Sequence, residues 1–163
     1  MSARQRGFSL LELLIVVAII LVVAAIAIPS LLRSRMAANE TSAVASLRTV
    51  NTSEVVYQTS YGVGFAAALT NLSDGGTPAN CIPPTVPAAA SACLIDNSLA
   101  SGTKSGYTFA DAAVAVGGLN ASYTLTAEPV ASGASGQRHF STDQTNVIRV
   151  NVSAPASATD PAI

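Results

Sequence analysis

The sequence predicts an α+β fold in which one long N-terminal helix, membrane-spanning in its first half, packs on a small four-stranded antiparallel sheet. Three observations lead there. An apolar run from Phe8 to Ile28 is long enough, at about 20 residues, to cross a hydrocarbon core of about 30 Å as a helix. The next stretch, Ser30 to Tyr61, holds no Gly or Pro and keeps apolar residues at helical spacing. Near the C-terminus, two pairs of alternating segments each flank a turn signal.

Taken in order, Met1 to Gly7 is a short polar leader carrying Arg4 and Arg6. Phe8 to Ile28 is apolar all round, as a membrane span must be, and its one charge is Glu12. Pro29 follows; a proline inside a helix removes one backbone donor and crowds the preceding turn, so a loosening of the helix is expected there. Beyond it, Ala43, Leu47, Val50, Tyr57 and Tyr61 form a stripe at spacings of three and four, interrupted by Glu54. One helix over 8–61 is therefore expected, with 8–28 for lipid or other helices and the stripe laid on a globular head of residues 62–163.

The head begins with a segment, 62–105, punctuated by Gly62, Gly64, Gly75, Gly76, Pro78, Pro83, Pro84 and Pro87, and reads as loop. It contains the two cysteines, Cys81 and Cys93. Beyond a membrane segment, in an exported chain, such a pair is read as one disulfide, closing a Pro-rich loop that little else fixes. The sheet is expected at about 105–152. Tyr107–Val116 and Ala121–Glu128 flank Gly117-Gly118-Leu119-Asn120, and 137–141 and 147–152 flank a second turn at 142–146. Ala154 to Ile163, rich in Pro, Ala, Ser and Asp, reads as a loose tail.

Half the residues are hydrophobic but only 10% are charged and none is Trp, so once the apolar run is set aside the head has a thin, aromatic-poor core. The basic residues Arg4, Arg6, Arg33, Arg35, Arg48, Lys104, Arg138 and Arg149 form no cluster in the C-terminal half, which gives nucleic acid no electrostatic footprint there. His139 is the single histidine. It has no companion at metal-ligand spacing, and the chain has no Gly-rich phosphate loop. No catalytic residue, metal or cofactor is expected, and His139, beside Phe140 in a strand, reads as structural.

Three readings compete for the first thirty residues: a secretory signal peptide cut near Ala25-Ile26-Ala27, an uncleaved anchor, and a leader cut before the apolar run. Glu12 discriminates. A carboxylate costs about 2.5–3.5 kcal/mol at the bilayer centre, less near an end, and an intramembrane acid calls for a partner. A signal peptide gains nothing from that cost, and in a plain anchor Glu12 would only snorkel to the headgroups. Cutting between Gly7 and Phe8 creates a partner, the new α-amino group, at the same depth.

Gly7-Phe8-Ser9-Leu10-Leu11-Glu12, after a short basic leader and before a long apolar helix with Pro29, resembles the processing site of type IV pilins and pseudopilins. The resemblance implies a pilin-like fold, cleavage after Gly7 by a membrane prepilin peptidase, N-methylation of Phe8, and a role for Glu12 in filament assembly. It also implies the partners: the inner membrane before assembly, the pilus assembly machinery, and other copies of the chain in a homopolymer. The mature protein is then expected in an extracellular pilus, as a structural subunit and not an enzyme. A type II secretion pseudopilin in a periplasmic fibre, a minor pilin, and a membrane-tethered periplasmic binding module are the alternatives. In the filament, apolar helices bury one another and a Glu12–Phe8 amine pair between neighbours sets their stagger. Arg33, Arg35, Glu40, Arg48 and Glu54 are candidates for further ion pairs between subunits or, equally, for a solvated face.

Overall fold

The computed structural model describes residues 9–163. The leader, Gly7 and Phe8 lie outside them. The element order is α1 (Leu10–Tyr61), α2 (Leu69–Leu72), a 3₁₀ turn (Pro78–Cys81), α3 (Asn97–Ala100), then β1 (Thr103–Lys104), β2 (Tyr107–Val116), β3 (Leu119–Pro129), β4 (His139–Asp143) and β5 (Arg149–Asn151). The chain divides into two compact units, residues 1–35 and 36–163, and α1 contributes to both.

In the first unit α1 is apolar and exposed on every side, and helix continues through Pro29. In the second, α1 buries Ala43, Leu47, Val50 and Tyr57 in one cluster with Tyr107, Phe109, Tyr123, Leu125, Ala127 and Phe140 of the sheet. The ring of Phe65, just past α1, lies 4.8 Å from that of Tyr123. Polar ties cross the same layer: Asn51 donates to the Thr142 hydroxyl (2.9 Å) and accepts from the Tyr123 hydroxyl (3.0 Å). The helix stops at Gly62, whose φ of +66° suits the left-handed position that ends helices.

The sheet is antiparallel in the order β1-β2-β3-β4-β5, five strands where four are expected from sequence. The additional strand, β1, is two residues long, too short for any alternation to show. Ser105 and Gly106 (φ +49° and +72°) turn it back onto β2, pairing Lys104 with Tyr107. The first hairpin is also tighter than expected. Gly117 and Gly118 both take positive φ, so the loop is those two residues alone and β3 starts at Leu119.

The C-terminal segment is not the loose tail its composition suggests. Val150 N–H donates to Pro161 O and Ile163 N–H to Ile148 O, both at 3.0 Å, so the end of the chain returns along β5. Arg149 and Asn151 hold it through Asp160 (2.9 and 3.0 Å). Backbone pairing does not require an alternating side-chain pattern, which is why composition misleads here.

Candidate functional site

The first unit is the candidate membrane and assembly surface. From Leu10 to Leu32 the only charge is Glu12. None of this apolar stretch is buried within the chain. Leu10, Leu14 and Val22 are 79%, 62% and 64% exposed, values that in water would be strongly unfavourable and that call for lipid or other helices. Glu12 sits in the first turn. Its Oε2 accepts the Ser9 N–H at 3.0 Å, while the Leu13 N–H reaches Ser9 O at 3.3 Å. Ser9-Leu10-Leu11-Glu12 thus builds one half of a capping box, the acid three residues into the helix reaching back to an orphan N–H. The carboxylate also lies where the helix dipole favours negative charge. The expected Glu12–Phe8 pair lies outside the described residues, as do the bond expected to be cut, Gly7–Phe8, and the amine expected to be methylated.

In the head, Cys81 and Cys93 form a disulfide. The Cys93 side of the loop is already pinned: Ala92, Cys93 and Leu94 donate to Asn71, Ser73 and Leu72 at 2.8, 2.9 and 2.6 Å. Asp74 braces the same corner, accepting from the Gly76 N–H and the Asn97 side chain at 2.9 and 2.6 Å. Asp96 caps α3 through the Leu99 N–H (2.9 Å) and meets Lys104 at 2.7 Å. Lys104 foremost holds its carboxyl below the ordinary range.

Two acids expected to serve contacts between subunits are used within the chain. Glu40 is 8% exposed and receives the Arg138 guanidinium at 2.7 Å and the Gln137 N–H at 2.9 Å. Burial, the largest single effect, pushes its carboxyl up, but the Gln137 and Arg138 bonds together hold it below its ordinary value. Glu54 is fully buried; its Oε2 accepts the Ala66 N–H at 2.8 Å and its Oε1 has no partner. Burial raises it to about 7 against the pull of Ala66, and Asp111 adds to the rise. Asp111 faces the same interior from β2 with both carboxyl oxygens buried and unpaired, and burial raises it to about 6, the Ala112 N–H opposing without closing a good hydrogen bond. Sequence reasoning took Glu54 as a break in the stripe and a candidate for ion pairs between subunits, not as a buried acid. Its position four residues after Val50 and three before Tyr57 already put it on the buried face. Asp111 had a comparable signal, two residues beyond Phe109 in a strand of period two. Glu40, three residues before Ala43, lay on the same face, but nothing pointed to its partner Arg138, 98 positions away.

His139 lies in β4 opposite Asn151, and among the described residues no three His, Cys, Asp or Glu side chains gather as a metal site. Residues 2–28 match the family model described as the prokaryotic N-terminal methylation motif. The chain is 43% identical over 94 residues to the type IV wide pilus major component PilA4 of Thermus thermophilus, a match covering 55% of this chain and 71% of that relative. No solved structure matches significantly. An N-terminal methylation motif, an uncovered apolar helix and a helix-on-sheet head occur together in one chain with a pilin relative, and the chain belongs to the type IV pilin family, the structural subunits of type IV pili.

Proposed function

We propose that this pilin is cut between Gly7 and Phe8 by a prepilin peptidase, N-methylated on Phe8, held in the inner membrane by α1, and then polymerised with copies of itself into an extracellular pilus. The observation that carries the reading is a helix apolar on every side and uncovered by its own chain, with a single acid in its first turn. Outside the bilayer, packing such helices together supplies cohesion at about 25 cal/mol per Å2 of apolar area kept from water, but little register, because one Leu-Ile-Val face resembles the next. Register comes from Glu12 pairing with the Phe8 amine of a neighbour. An unpaired buried charge costs about 3–5 kcal/mol, which penalises a wrong stagger. The Ser9 N–H occupies one carboxylate oxygen, and Oε1 has no partner among the described residues, so one oxygen remains for the incoming amine. Pro29 leaves the Ala25 carbonyl without its helical donor and is the point where α1 can loosen during packing.

The relative's designation as a pilus major component supports a fibre subunit over a pseudopilin, a minor pilin or a tethered binding module. It also supports a structural role without catalysis. The test is fibre yield, by electron microscopy and shearing, in Glu12 variants. Glu12→Asp keeps the charge but shortens the reach and gives a reduced yield. Glu12→Gln and Glu12→Val give few or disordered fibres while membrane insertion and cleavage after Gly7 continue. Normal fibres from Glu12→Val would refute the pairing.

A further inference from the structure

The sheet has two edges, and the described residues close only one. The tail covers β5 through the Val150–Pro161 and Ile163–Ile148 bonds. On the other side, β1 covers only Tyr107 and Thr108 of β2, and Gly102 O takes the Phe109 N–H at 2.7 Å. Beyond Phe109 that cover ends. Backbone groups of an antiparallel strand alternate between its two neighbours, so Asp111, Ala113 and Ala115 follow Phe109 in facing outward. Among the described residues no hydrogen bond reaches the outward groups of these three. The one irregularity in the β2–β3 register falls between Val114–Ser122 and Ala115–Asn120, so the unopposed residue is Ala121 of β3 and the alternation of β2 is unbroken.

Exposed edges of this kind are ordinarily blunted by lysine, proline, a bulge in the edge strand itself or an inward-pointing charge. Between Ala110 and Val116 β2 has only the last of these, a single inward-pointing acid. Its one charge there, Asp111, keeps both carboxyl oxygens out of solvent. The side chains on its outer face are Ala110, Ala112, Val114 and Val116, all exposed.

We propose that the outer edge of β2, Asp111–Ala115, is an isologous pairing surface on which a head docks the same edge of a second copy of this chain in an adjacent fibre. The edge is complementary to itself. With a two-fold axis at Ala113, that residue opposes Ala113 of the other copy and Asp111 opposes Ala115. These hydrogen-bonded pairs supply about six backbone bonds, at two per pair. Between them Ala112 faces Val114, small apolar side chains with no like charges opposed. The adjacent fibre follows from symmetry. Copies within one helical filament meet through heterologous surfaces, whereas a two-fold contact closes on itself and so joins copies in different filaments. Repetition along two fibres turns weak single contacts into firm lateral association.

The inference rests on the filament reading, and the test separates the two. Fibres carrying Ala112→Cys and fibres carrying Val114→Cys are prepared separately, mixed, and mildly oxidised. The two positions oppose each other at about 4.5 Å between Cα atoms, within disulfide reach, and neither opposes itself. Covalent dimers are expected in the mixture and not in either sample alone. Val114→Lys is expected to leave fibre yield unchanged and to separate paired fibres into single ones. A mixture without dimers, dimers equally abundant in the unmixed samples, or unaltered pairing in Val114→Lys overturns the edge contact. Absence of fibres from the unmodified chain counts against the filament reading instead.

Discussion

Replacing Glu54 by glutamine should stabilise the head at neutral and alkaline pH and remove most of the pH dependence that this residue imposes. Glu54 is enclosed with one oxygen on the Ala66 N–H and the other unpaired. The acid and phenol groups facing it are Asp111 from β2, Tyr123 from β3 and Tyr57 from its own helix, and none is a cation. Burial raises its pKa from 4.5 to about 7, so between those values the folded state holds a proton that the unfolded state has released. Stability therefore falls as pH rises from about 4.5 to about 7 and is level above that. Asp111, raised from 3.8 to about 6, acts in the same direction over its own window. Glu40 and Asp96, both lowered, oppose this only below their ordinary range, where protonation costs stability as pH falls. Unscreened, the Glu54 shift corresponds to about 3 kcal/mol at about 1.4 kcal/mol per unit. Solvent and relaxation reduce that to about 1–2 kcal/mol, or about 3–8 °C in melting temperature for a head of this size. Glutamine keeps an acceptor for Ala66 and adds a donor that can turn to Asp111. Thermal melts of the detergent-solubilised chain, followed by near-ultraviolet circular dichroism of its buried tyrosines, would measure the difference between pH 5 and pH 8. A Glu54→Gln protein that is less stable than the parent at pH 8, or a parent equally stable at both pH values, would refute the reasoning.

Intact mass of the exported protein should show a chain beginning at methylated Phe8; a start at Met1 or Ile28 would contradict the processing. Reducing Cys81–Cys93 should cost about 2–4 kcal/mol. Hydrogen exchange should rise around Pro78–Ala90 more than around 92–94, which backbone bonds hold independently. Arg138→Met should destabilise the head by about 1 kcal/mol, a modest figure because Arg138 is partly exposed and Glu40 keeps the Gln137 N–H; a loss above about 3 kcal/mol would mean that Glu40 depends on the guanidinium alone.

The features legible in the sequence are those with a local physical signature. The apolar run, the absence of Gly and Pro from Ser30 to Tyr61, and the stripe from Ala43 to Tyr57 each follow from the period of a helix. The Gly117-Gly118 turn follows from backbone freedom that few other residues have. The features that escaped are backbone or long-range events. β1 is two residues held by a neighbour, the tail pairs through N–H and C=O groups that every residue carries, and Glu40 finds Arg138 across nearly the whole head. Gly64 is intermediate: its punctuation marks a loop, but only the fold reveals that a Cβ there would collide with the Asn120 carbonyl.

The two acids of α1 show why residue type alone could not assign roles. Glu12 and Glu54 both interrupt apolar surface on one helix, and from sequence both read as partners for a neighbouring subunit. Their local backbone differs. Glu12 lies in the first turn, where orphan N–H groups and the helix dipole favour a carboxylate and its Oε2 takes the Ser9 N–H. Glu54 lies deep in the helix, where every backbone donor is already committed, and the N–H it finds comes from the loop at Ala66. With no cation facing it, holding a proton is its lower-energy state below about pH 7. The same change to glutamine should therefore separate the two: at Glu54 it relieves a folded head, while at Glu12 it removes the charge proposed to set register between chains. Equal losses of fibre yield and of head stability in the two variants would show that this distinction between the positions is wrong.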